Sequence, residues 1–134
     1  MRLQRRGTTL AVVLALALTA CSKSDDDELT GTYSGDAVDS QSSSNRKELT
    51  LTVAAAGTTV SGTYHLKAIL VDTNGIVNGT LNGSALALVL TPSTGSADCP
   101  YNITGTWMGD RITGTYAAFN CFVRSDGTFD LKKK

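Results

Sequence analysis

Three cysteines, a single histidine and a run of aspartates are the residues whose types could do chemistry in this chain of 134 residues. Cys99 and Cys121 admit a disulfide, a metal pair or reactive thiols, but no histidine or third sulfur lies near them in sequence to complete a metal set. His65 alternates with Thr63 and Lys67, which predicts a solvated imidazole on an outward face. No serine or carboxylate stands at hydrogen-bonding spacing to make it a base. Asp25-Asp26-Asp27 supplies oxygen, yet the spaced ligands and turn glycine of a calcium loop are missing. No nucleophile, acid–base pair, cofactor loop or metal set is assembled, so catalysis is not expected and no catalytic, cofactor or metal residue is assigned.

The elements that carry these residues share a period of two. The phrase Ile103-Thr-Gly-Thr-Trp107 recurs as Ile112-Thr-Gly-Thr-Tyr116, with Met108 to Arg111 between the copies, and this is a β-hairpin written twice. Alternation puts Ile103, Gly105, Trp107, Ile112, Gly114 and Tyr116 on one face, with Gly109-Asp110 as the turn. The phrase returns around Tyr33, Tyr64, Leu81 and Phe129. Strands are predicted near 29–38, 47–54 and 59–71, then from a turn at Asn74-Gly75 to one at Asn82-Gly83. A fifth strand ends at Pro92, two form the duplicated hairpin, and the last covers 128–133. A loop at Asn82-Gly83 sets Leu81 opposite Ser84 and Gly79 opposite Leu86. The hairpin register sets Cys99 opposite Asn120, so one bulged residue brings Cys121 across from Cys99.

Eight sequential antiparallel strands with one apolar face predict an all-β fold, a single up-and-down barrel (meander) over residues 29–134, because closure leaves no exposed edge. An even strand count puts both chain ends at one end of the barrel, together with the tight turns and Lys132, Lys133 and Lys134. The other end carries the long loops 39–46 and 91–98, and Val71, Ile76 and Val89 face outward nearby. That distal end is the expected place for a partner.

The N-terminal segment reads as an address. Arg2, Arg5 and Arg6 precede the apolar run 10–18, which is too short to span a bilayer and has the order of a secretory signal. Its exit, Leu18-Thr19-Ala20-Cys21, resembles the lipobox of bacterial lipoproteins. The resemblance implies cleavage after residue 20, acylation of Cys21 and a membrane anchor. Two or three acyl chains hold firmly, at ~0.8 kcal/mol per buried methylene. Ser22 directly after the cysteine implies an outer-membrane destination in a Gram-negative cell envelope. Residues 21–28 form a lipidated, acidic tether whose seven residues beyond Cys21 reach at most ~24 Å. In an exported chain Cys99 and Cys121 are expected to pair, closing about 23 residues and stabilising by roughly 3 kcal/mol. Removing Arg2, Arg5 and Arg6 from twelve basic residues leaves nine against twelve acidic ones, which gives no reason to expect nucleic acid.

The barrel pattern, with an opening Gly-Thr-Tyr33 strand and a closing Gly-Thr-Phe129 strand, is similar to the lipocalin and avidin-like (calycin) superfamily. That likeness implies a carrier with Tyr33, Tyr64, Trp107, Tyr116 and Phe129 lining a cavity for a small apolar ligand. Avidins line their biotin site with several tryptophans and this chain has one, so biotin binding is not carried over. Against the cavity stands a filled interior, which dense packing favours in so small a barrel. The expected partners are therefore the membrane, through the N-terminal lipid, and an envelope protein or a small apolar ligand.

Overall fold

The computed structural model describes residues 29–69, 71–94 and 98–134. The expected signal segment 1–20, the Cys21 acylation site and the rest of the tether to residue 28 lie outside them. The described chain is all β, with β1 (Gly31–Asp39), β2 (Arg46–Ala56), β3 (Thr59–Lys67), β4 (Asp72–Asn82), β5 (Ala85–Pro92), β6 (Tyr101–Met108), β7 (Arg111–Ala118) and β8 (Asp126–Lys133). Each strand pairs antiparallel with the next, and β8 pairs with β1 to close the barrel. Closure removes every free sheet edge, as the meander of alternating strands predicts.

The inward set packs as one core. Leu49, Leu51 and Val53 meet Val60, Tyr64, Val77, Leu86, Leu88, Leu90, Ile103, Ile112 and Leu131, all buried, while Thr52, Thr63, Thr80 and Thr104 on the same strands face out. Aromatic rings lie where glycines leave room. A Cβ added at Gly105 or Gly114 would sit 3.1 and 3.0 Å from Phe129 Cζ, so that ring lies over the paired glycines of β6 and β7.

Three short turns, opened by Gly57, Gly83 and Gly109 at φ 62°, 61° and 65°, group at the end where Leu29 enters, here called the proximal end. The distal end carries the loops 40–45, 68–71, 93–100 and 119–125.

Two turns differ from expectation. Asn74-Gly75 lies inside β4, with Gly75 opposite Tyr64. The chain reverses instead at Ala68 and Val71, whose backbone groups bond each other at 2.7 and 3.4 Å, so β3 ends at Lys67. The reason is steric, because a Cβ at Gly75 would lie 2.0 Å from Thr91 O and 2.5 Å from Tyr64 Cε1. The glycine serves packing and the turn forms without it. Likewise the β4–β5 loop is Gly83-Ser84, since Gly83 holds the left-handed conformation, and Leu81 faces Leu86 where Ser84 was expected. That shift is two residues of register, which preserves the buried face. Asp126 and Gly127, expected in a turn, already belong to β8.

Candidate functional site

At the distal end the interior changes character. The inward positions of the distal half include Lys47, Tyr64, Thr73, Tyr101 and Tyr116, beside leucines and isoleucine such as Leu49, Leu66 and Ile103. Lys47 follows from the alternation, since it is in phase with Leu49 and sits opposite Ala37. Its Nζ donates to Ser125 Oγ at 3.1 Å and lies 5.7 and 5.8 Å from the ring centroids of Tyr101 and Tyr116. Those rings meet edge to face at 5.8 Å. Thr73, also buried, donates its hydroxyl to Asp98, fastening the 93–100 loop to β4.

Tyr64 and Tyr116 are only 3% and 6% exposed, and among the described residues neither phenol oxygen is within hydrogen-bonding geometry of a partner. Burial pushes both phenols up to about 12, with Tyr101 and Asp98 adding to the rise at Tyr64. At Tyr116 the further contributions come from Asp39, Tyr101 and Asp126. The Ser125 hydroxyl beside it pulls the other way. The mouth is therefore the Lys47 ammonium beside the rings of Tyr101 and Tyr116 over an apolar pit. Ala37, Leu49, Leu66, Leu90 and Ile103 wall that pit, and it holds about 10 Å³. This is room for about one water and not for an organic ligand, whose pockets start near ~300 Å³.

Of the five aromatic residues expected to line a ligand cavity, Tyr116 alone borders this pit. Tyr33 and Trp107 seal the proximal end, where Trp107 Nε1 donates to Gly109 O at 2.7 Å and Lys133 Nζ lies 5.8 Å from the Tyr33 ring centroid. Phe129 fills the middle. Lys47 and Tyr101 were missed as mouth residues, although their phase with Leu49 and Ile103 marked both as inward.

Cys99 and Cys121 pair as a disulfide with their Cα atoms 5.7 Å apart. The bulge that makes this possible is Asn120, at φ 50°, directly after the bond from Phe119 N–H to Pro100 O. The bond sits at the base of loop 119–125, whose far side is closed by Ala118 N–H donating to Ser125 O at 2.7 Å. Between these ties Phe122 is fully exposed and Val123 is 68% exposed. Across the mouth, Ile69 in the β3–β4 turn is fully exposed as well. Of the outward apolar residues anticipated, Ile76 and Val89 are exposed on the outer wall and Val71 is half-buried. The larger projections are the loop tips.

His65 corrects a further expectation. Its Nε2 lies 2.5 Å from Asp72 Oδ1, a carboxylate brought across by the 68–71 turn. His65 borders an open concavity of about 440 Å³ on the outer wall, lined also by Thr50, Thr63, Asn74 and Ile76. Thr50 is engaged with Ser34 at 3.1 Å, so this imidazole has a carboxylate but no hydroxyl nucleophile hydrogen-bonded to it. Among the described residues no three histidine, cysteine or acidic side chains converge on a metal position. Comparison with protein-family models, curated proteins and solved structures gives no match.

Proposed function

We propose that this protein is a lipid-anchored, non-catalytic envelope lipoprotein, held through Cys21 in the outer membrane of a Gram-negative bacterium and working through the distal end of its barrel. One observation carries the reading. Ile69, Phe122 and Val123 project into solvent around the mouth, at the end opposite to the buried Leu29 where the tether joins. Apolar side chains held outside a core by a disulfide and by backbone bonds are positioned for contact with something else. A calycin-like carrier of a small apolar ligand is the alternative, and a pit of about 10 Å³ favours the contact role over it.

A photo-crosslinker at position 122, introduced in the producing cells, is expected to give adducts to protein or lipid, while one at position 59 beside the proximal turn gives few. Equal yields at both positions refute the distal assignment. Cys21→Ser is expected to move the protein from the membrane fraction to the soluble one. Retention of the variant in membranes refutes the anchor.

A further inference from the structure

We infer that the distal end docks on a phospholipid surface, with Ile69, Phe122 and Val123 entering the interface as separate fingers. The inference rests on the reading that this end is the working one, and it names the chemistry of what that end meets. The β3–β4 turn 68–71 contains no polar side chain in its sequence, and its tip residue Ile69 is fully exposed. Loop 119–125 presents Phe122 and Val123 from the β7–β8 junction, four strands away around the barrel. The apolar groups are thus two projections on opposite sides of a ring and not one contiguous patch.

That geometry discriminates between partners. A protein interface gains most of its energy from anchors buried in matching pockets, with close shape complementarity. Here the pit between the fingers is about 10 Å³, too small to receive a partner's side chain, and it is capped by Lys47 lying against Tyr101 and Tyr116. A bilayer interface is fluid and needs no complementary shape. It accepts isolated apolar tips, and aromatic rings with a polar end suit headgroup depth. Each finger also has a cation beside it in sequence, Lys67 next to Ala68-Ile69 and Arg124 next to Val123. Arg124 also bonds Asp126 Oδ1 through Nε at 3.3 Å, a pair that lipid phosphate would have to compete with, whereas Lys67 is exposed beside its finger. The disulfide at Cys121 and the Ala118 to Ser125 bond tie both ends of the bent segment that carries Phe122, so little ordering remains to be done on contact.

The anchor and the fingers are at opposite ends of the barrel. A protein held by Cys21 therefore turns its fingers toward a facing membrane, and docking would link two bilayers.

The test uses the full protein isolated from cell membranes and reconstituted in phosphatidylcholine:phosphatidylethanolamine vesicles, with Phe122→Trp as reporter. Trp107 lies at the far end of the barrel and supplies a constant background. Brominated phosphatidylcholine is placed either in the host vesicles or in added protein-free vesicles. Quenching of the position-122 emission is expected with brominated lipid in the added vesicles. Adding Ile69→Ser and Val123→Ser should raise the half-saturating lipid concentration about tenfold or more. Absence of quenching in either arrangement overturns lipid docking, as does quenching that requires envelope proteins in the added vesicles. If crosslinks from position 122 to proteins persist while quenching is absent, the distal end remains the working end and its partner is a protein. Should the protein fail to remain in host vesicles, the anchor reading fails separately, and quenching by added vesicles still decides docking.

Discussion

Gly75→Ala is expected to destabilise the barrel by about 3 kcal/mol or more, near the top of the range for overpacked sites. The new methyl carbon would lie 2.0 Å from Thr91 O and 2.5 Å from Tyr64 Cε1. Ordinary contacts begin near ~3.5 Å, so something must move by more than an ångström. The Tyr64 ring can shift only within a filled interior, and Thr91 O belongs to the β5 backbone paired with Ile76. Relief therefore means opening the β4–β5 ladder. Gly57→Ala is the comparison. Gly57 has nothing within 4 Å of its missing Cβ, and only its φ of 62° opposes the change, at about 1 kcal/mol. For a domain of this size the melting temperature falls by roughly 4–8 °C per kcal/mol, so the two variants should separate by about 10 °C or more in a thermal scan. Equal losses would refute the placement of Gly75 inside β4 and return it to a turn, where an alanine costs only the conformational term.

Two further outcomes follow from the same interior. Replacing Cys99 and Cys121 by serine should lower stability by about 3 kcal/mol in denaturant titration, and the unreduced wild type should yield no thiol at either position on labelling. Tyr64 and Tyr116 hold their protons more tightly folded than unfolded. Their contribution is therefore fully present below pH 10 and is lost as pH rises toward about 12. Denaturant midpoints should fall across that window, in step with phenolate absorbance. Tyr64→Phe should flatten the fall and cost nothing at neutral pH, because it removes a buried hydroxyl that has no partner among the described residues. A loss of more than about 1 kcal/mol at neutral pH in that variant would mean the hydroxyl is satisfied.

The alternation of Leu49, Leu51 and Val53 against Thr50 and Thr52, and the doubled phrase ending in Trp107 and Tyr116, made the strands, their inward faces and the closed meander legible. Turn positions were less so. Asn-Gly has a strong local preference for hairpins, but at Asn74-Gly75 the need to clear the Tyr64 ring outweighs it, and no local pattern encodes that need. The mouth was partly written in plain view. Lys47 keeps the phase of the strand it opens, yet a lysine is read as surface by its type, and only the paired rings of Tyr101 and Tyr116 show why it turns inward. The exposed tips were hidden for the opposite reason. Ile69, Phe122 and Val123 look like core residues by type, and which side of a turn they occupy depends on where the neighbouring strands stop.

The seam between β1 and β8 joins residues about as far apart as the domain allows, with Tyr33 opposite Lys133 and Lys134 N–H bonded to Thr32 O at 2.9 Å. Hairpins such as β6–β7 can zip locally, whereas this junction must wait until β8 is available and the whole cylinder has curled. Until then both of its margins are open strands with unpaired amides, ready to capture another chain. Deleting β8 would leave that vulnerable state permanent, and aggregation, more than loss of any contact at the mouth, is the defect such a deletion would show.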